Sequence, residues 1–206
     1  MMNLPAGTRR PPASLYLNMD VWAYLNAFHP LAKEDIEALQ SRVQPRAFAK
    51  GVYIVREGEV QRELLFVKQG YQMSFLNHDG KAHVVAFTYA PGICSIPDSF
   101  LLQKPSGYFL QCITDSEFDA ISLQALEALF DTRPSVERLF RKMTERVLIG
   151  LIQRHVDLHV LSMEERFRAF AARSPQLLHL LPHKYIASYL DIDPTNFSKL
   201  FNSARI

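Results

Sequence analysis

Residues 46–122 are cut by glycines at short, regular distances, and this limits what the chain can fold into. Gly51, Gly58, Gly70, Gly80 and Gly92 stand seven to twelve residues apart, with runs rich in Val, Ile, Phe and Tyr between them. Each interval holds one short strand and a tight turn. Strands are expected at 52–56, 64–68, 72–77, 83–88, 108–113 and 118–122. Asp79-Gly80 is a hairpin-turn dipeptide between two of them. No long helical pattern interrupts the series, so the sheet should be antiparallel and either closed or sandwiched. Nothing in the spacing repeats as a solenoid or propeller would.

Helical patterns flank this segment. In 19–43, Trp22, Leu25 and Phe28 share a face that Pro30 breaks; Ile36 and Leu39 continue on a second short helix, with Glu34, Asp35 and Glu37 pointing outward. From Pro134 onward, Val136, Phe140, Met143, Val147, Gly150, Leu151, Leu158 and Leu161 recur mostly every three or four residues. A run of about 28 residues makes a helix roughly 42 Å long. A small β-domain cannot cover that length, so part of the stripe is expected to meet another chain. The expected dimer contacts are Val136, Phe140, Met143, Val147, Gly150, Leu151 and Leu158, with Gly150 allowing close approach and Arg154 interrupting the seam. Ser162 and Glu165 then form a capping box for a further helix that buries Phe167 and Phe170 and ends at Ser174-Pro175.

Segment 183–202 reads as two short helices. Ile186, Ala187 and Leu190 make an apolar stripe, Ile192 follows a break, and Phe197, Leu200 and Phe201 resume it. Ala187 is small, as a tight helix crossing requires. Asp193-Pro194 supplies an N-cap and a proline at the first helical position. This is the pattern of a helix-turn-helix, whose second helix enters the major groove of DNA. The turn carries Asp191 where glycine is usual; Asp is among the few other residues that tolerate the left-handed region expected there.

The net charge of +2 is uneven along the 206 residues. Residues 1–161 hold 17 basic and 17 acidic groups; residues 162–206 hold six basic (Arg166, Arg168, Arg173, Lys184, Lys199, Arg205) and four acidic ones. The whole excess therefore lies with the suspected DNA reader, as a small footprint. No apolar run is long enough to span a bilayer, and the N-terminus lacks the apolar core of a signal peptide. Pro5, Gly7, Arg9, Arg10, Pro11 and Pro12 suggest a flexible tail over 1–19. Two cysteines, Cys94 and Cys112, suit buried thiols of a cytoplasmic protein better than a metal or iron–sulfur site.

In this order the elements resemble the cyclic-AMP receptor protein/fumarate–nitrate regulator (Crp/Fnr) superfamily of bacterial transcription factors, over residues of about 20–202. The resemblance is carried by Lys50-Gly51-Val52-Tyr53-Ile54-Val55-Arg56-Glu57-Gly58-Glu59, by Leu65-Phe66-Val67-Lys68-Gln69-Gly70 and by Ile186-Ala187-Ser188-Tyr189-Leu190. It implies an α+β chain: a cyclic-nucleotide-binding-like antiparallel β-roll sensor with flanking helices over 20–133, a dimerisation helix over 134–161, and a helix-turn-helix over 162–206. It further implies a homodimer on inverted-repeat double-stranded DNA, with a small-molecule effector and RNA polymerase as further partners. Thr195, Asn196 and Lys199 would face bases, while His183, Lys184 and Ser198 would meet phosphates.

Two departures qualify this. Nucleotide-binding members carry Gly-Glu for the ribose and Arg-Ser/Thr for the cyclic phosphate, whereas the matching segment 92–110 has neither Glu nor Arg; Asp98 and Lys104 are its only charged residues. Loss of cyclic-AMP binding is expected, because an anionic phosphate needs a positive partner or a nest of amides. Many members also add a β-hairpin wing after the second helix. This chain stops at Ile206, so the wing is expected to be missing or cut off.

No nucleophile, base and orienter set stands out, so the chain is not expected to be an enzyme, and no cofactor is implied. His78 and His83 lack a supporting Glu; His155 and His159, four apart on the long helix, read as solvated or interface histidines rather than metal ligands. The alternative reading is an interaction or regulatory subunit with a decayed reader, favoured only by the low basic charge.

Overall fold

The computed structural model describes residues 19–203. All but the last residue of the expected tail, together with Arg205, lie outside the described residues. Two short helices, α1 (Val21–Asn26) and α2 (Lys33–Gln40), lead into eight strands: β1 (Gln44–Phe48), β2 (Tyr53–Val55), β3 (Glu63–Gln69), β4 (Tyr71–His78), β5 (Lys81–Tyr89), β6 (Gly92–Cys94), β7 (Phe109–Cys112) and β8 (Ser116–Ser122). Helix α3 (Pro97–Leu102) is inserted between β6 and β7. After the strands come α4 (Leu123–Thr132), the long α5 (Pro134–Val160), α6 (Met163–Arg173), α7 (Pro175–Leu180), α8 (His183–Leu190) and α9 (Pro194–Ser203).

The strands form two four-stranded antiparallel sheets, β1-β8-β3-β6 and β2-β7-β4-β5. Each expected strand is present within a few residues, and two are added. β1 carries Pro45 and stays half-exposed, which is tolerated because it is an edge strand. β6 has only three residues, too few for alternation to show. Asp79 and Gly80 both take positive φ, at 50° and 71°, as a two-residue hairpin turn of the primed type requires. Gly70 has φ of 94°, and a Cβ there would collide with the Ser116 hydroxyl and the Asp115 carbonyl, so only glycine fits.

Period-two alternation explains how one strand serves two cores. On β3, Leu65 and Val67 point between the sheets, joining Val55, Cys94, Leu110 and Phe118. Leu64 and Phe66 point the other way, onto α1, α2, α4 and the first part of α5. That outer layer includes Leu25, Leu39, Leu126, Val136 and Leu139, with Trp22 at 5.2 Å from the Phe66 ring. Asp35 was expected to point outward; instead it accepts from Arg133 at 3.0 Å and from the Ser135 hydroxyl, tying α2 to the start of α5. The Ser135 hydrogen bond, then the Arg133 guanidinium, hold its carboxyl below the usual range. Burial pushes the Cys94 thiol up to about 12. Among the described residues, no helix is long and apolar enough to cross a membrane.

Candidate nucleic-acid interface

Helices α6 to α9 share a core built from Phe167, Phe170, Leu177, Leu178, Ile186, Ala187, Leu190, Ile192 and Phe197. Ser162 and Glu165 form both halves of the capping box on α6. The segment after Pro175, which the sequence leaves as a connector, is the short α7. Ala187 is fully buried, where a larger side chain would push α8 and α9 apart.

The turn between these two helices follows from hydrogen bonds of its own. Asp191 is left-handed (φ 53°, ψ 50°), as expected. Its N–H donates to the Ser188 carbonyl at 3.2 Å, and the Ile192 N–H reaches back to Ala187 at 3.0 Å. This is the Schellman pairing, with Ile192 and Ala187 in the same apolar cluster. Asp191→Gly is expected to raise thermal stability by up to about 1 kcal/mol, because glycine carries no β-carbon into the left-handed region. A melting curve shifted downward would show that the Asp191 side chain contributes more than its backbone costs. Next, the Asp193 carboxylate accepts from the N–H groups of Thr195 (2.8 Å) and Asn196 (3.3 Å) and starts α9.

At about 100° per residue, burial of Phe197 sets which side of α9 is free. Thr195, Lys199 and Asn202 lie opposite it and are exposed. Asn202 was not among the expected base readers; only the placement of Phe197 brings it to the outward face. Asn196 is turned to the rim of that face, half-buried, its amide 3.9 Å from the Met163 sulfur. Ser198 donates to the Pro194 carbonyl at 2.9 Å. His183 is directed inward, against expectation: its ring lies 4.2 Å from that of Phe201, and Nε2 is 3.2 Å from the Leu178 carbonyl. An apolar ring pair covers it better than water would. Lys184 remains exposed, with Nζ 4.9 Å from the Tyr185 ring.

The basic residues of this region divide in two. Arg166 donates to the carbonyls of Leu161 (2.9 Å) and Asp191 (2.9 Å), and Arg173 reaches the Tyr189 hydroxyl at 3.4 Å. These two guanidiniums tie the helices together. Lys184, Lys199 and Arg168 lie on the surface, Arg168 beside Glu164 at 3.4 Å.

The other side of α8 is docked on the roll. β5 is the edge of its sheet, and an edge has unpaired backbone groups. The Ser188 hydroxyl accepts from the Val84 N–H at 3.0 Å and donates to the Ala82 carbonyl at 3.0 Å, standing in for a missing strand. The β4–β5 ladder shifts register between Ser74 and Phe75, leaving Val85 as an extra residue. Arg154 of α5 donates to the Val85 carbonyl and, at 2.9 Å, to the Tyr189 carbonyl, and its guanidinium lies 4.0 Å over the Tyr189 ring. The residue that interrupts the expected seam is therefore the clasp between the β-roll, the long helix and α8.

The long helix also departs from expectation. Val136 is 0% exposed inside its own chain's core, and Phe140 and Met143 pack on the same core. Val136 is thus covered without a partner, and Phe140 and Met143 are partly so. Gly150 and Leu158 are half-buried, Leu158 beside the cavity of about 30 Å³ under α6 and α8. Val147 and Leu151 are exposed, and so are Leu148 (56%), Ile149 and Ile152 (57%), which the sequence reading did not select.

In segment 92–110, Lys104 pairs with Asp98 at 3.4 Å. Buried Ser99 accepts from the Gln61 N–H at 3.0 Å and donates to the Lys104 carbonyl at 2.8 Å. Ser106 bridges both backbone groups of Tyr108, at 2.8 and 2.9 Å. Ser99 and Ser106 are thus engaged by the chain itself, while the buried Ser95 hydroxyl has no hydrogen-bond partner among the described residues.

No family model and no curated protein matches the sequence. Solved structures do match over most of the chain. The catabolite activator protein of Thermus thermophilus is 21% identical, with a TM-score of 0.55 over 85% of this chain and 84% of that one. The chain has the fold of the Crp/Fnr regulators. The c-di-GMP-responsive global regulator CLP of Xanthomonas campestris shares it at 16% identity (TM-score 0.62; 83% of this chain, 90% of that one). FixK2 of Bradyrhizobium japonicum does so at 16% identity (TM-score 0.64; 78% and 83%). Within the Crp/Fnr fold, β1–β8 are the roll, α5 the long helix and α8–α9 the helix-turn-helix.

Proposed function

We propose that this chain is a DNA-binding transcription regulator that acts as a homodimer, with α9 as the recognition helix. The observation that carries the reading is the outward face of α9: Thr195, Lys199 and Asn202 stand free beyond a capped N-terminus and a left-handed turn, with Phe197 buried beneath. Lys can donate to guanine O6 or N7 and Asn can pair with adenine through two hydrogen bonds. Lys184, on the surface at the start of α8, is placed for phosphate rather than bases. The dimer forms through the exposed side of α5, with Leu148 and Ile152 at its centre in place of Val136, Phe140 and Met143.

Selection from a random DNA pool tests the reading. The expected site is an inverted repeat with half-sites about one helical turn apart. Lys199→Ala or Asn202→Ala should relax preference at one base pair per half-site, typically by about 1–3 kcal/mol. Lys184→Ala should weaken all sequences alike and lower the salt slope by about one. No enrichment at all would favour the interaction-subunit reading. Cyclic AMP is expected not to bind in the micromolar range by calorimetry, since Lys104 is engaged with Asp98 and 92–110 contains no arginine. A clear micromolar constant would overturn that expectation.

A further inference from the structure

We infer that the C-terminal end of the α5 seam is a four-histidine site for a divalent transition-metal ion, shared between two copies of the chain. The inference rests on the homodimer proposed above. Val136, Leu139, Phe140 and Met143 mark the side of α5 turned toward its own roll. On the opposite side stand Arg141, Glu145, Leu148, Ile152, His155 and His159, all but Glu145 exposed. Their spacing is four, three, four, three, four, the alternation of d and a positions in a heptad repeat.

Leu148 and Ile152 supply the apolar layers, flanked by exposed Ile149, Leu151 and Val156. The next d and a positions are His155 and His159. Their rings already stand together, with centroids 4.5 Å apart and edge to face. Two histidines four apart on one helix face can chelate one metal ion. If both DNA readers are to face one duplex, the two α5 helices run parallel about the two-fold axis, and each seam residue then meets its own copy. That brings four imidazoles together. Four neutral nitrogen donors suit Zn²⁺, Ni²⁺ or Cu²⁺ and not Mg²⁺ or Ca²⁺, which take oxygen ligands. Bound there, the ion would hold the end of the long helices nearest the readers.

The test uses the full chain stripped with EDTA and Zn²⁺ as the probe. Calorimetry should give one ion for two chains. At free Zn²⁺ about a hundredfold above its dissociation constant, the dimer dissociation constant should fall about a hundredfold. Mg²⁺ should do neither. The double variant His155→Ala, His159→Ala removes the ligands from the seam; whatever its own metal-free dimer constant, zinc should neither bind to it nor tighten it.

A metal-free dimer that zinc neither binds nor tightens overturns the site and leaves the dimer standing. A zinc effect that survives in the double variant also overturns it, and directs attention to the His78–His83 pair of the β4–β5 hairpin, whose rings are 6.3 Å apart. One ion per chain would mean that each His155–His159 pair binds by itself, or that antiparallel pairing sets Glu145 against His155; either overturns the shared site. A monomer with and without zinc sinks the dimer reading and the site with it.

Discussion

The double substitution Leu148→Glu, Ile152→Glu is expected to leave each chain folded and to convert the proposed dimer to monomers. Both side chains are more than half exposed in the single chain, at 56% and 57%. Carboxylates there cost the fold little. Across a two-fold seam they would bury like charges in pairs, at a cost of several kcal/mol. Sedimentation velocity at micromolar concentration should show the monomer, while circular dichroism stays unchanged. Met143→Glu supplies the contrast. Met143 packs on its own chain's core, so an unpaired, partly buried carboxylate there should cost roughly 2–4 kcal/mol of stability and lower the melting temperature. If the double variant still sediments as a dimer, the interface lies off this face of α5.

Arg154→Ala should release α8 from the roll. The substitution removes two charge-assisted hydrogen bonds, to Val85 and Tyr189, and the guanidinium over the Tyr189 ring. Each such hydrogen bond is worth about 1.5–3 kcal/mol and the ring contact about 0.5–2 kcal/mol. The loss in docking free energy is therefore about 3 kcal/mol or more. Hydrogen exchange should speed up at Val84, whose N–H is covered by Ser188, and along α8, while the β3–β8 ladder stays protected. Arg154→Lys should restore little, because one ammonium cannot donate to two separated carbonyls and cover a ring in a single geometry. Unchanged exchange at Val84 would mean that Ser188 and the Tyr185–Tyr189 face hold the contact without the arginine.

Much of the local structure was legible in the chain. Asp191 showed the left-handed turn, Asp193 the start of α9, Ser162 and Glu165 the capping box, and Asp79-Gly80 the hairpin. In each case the determining interactions lie within five residues. The β-roll was visible for the same reason, because alternation and turn residues act over short distances. β6 was missed because three residues carry no pattern, and β1 because Pro45 argues against a strand until its edge position is known.

The sequence alone determined most of the strands and the longer helices, though not β1, β6, α3, α4 or α7, and that the last two helices meet at a small residue beside a left-handed turn. It did not determine which side of each helix faces what. On α5 the apolar residues were followed in steps of four from Met143 through Val147 to Leu151. Each such step advances about 40° beyond a full turn, so the series drifted from the face covered by the roll toward the free one. Tertiary structure separated the two, burying Val136, partly burying Met143 and leaving Leu148 and Ile152 exposed. It likewise turned His183 inward, brought Asn202 outward, and placed Arg154 and Ser188 on the edge of β5. Those outcomes depend on contacts between groups as many as 106 residues apart, as in Ser188 and Ala82. Local propensity carries no information about such distant partners; packing of the two modules against one another decides them.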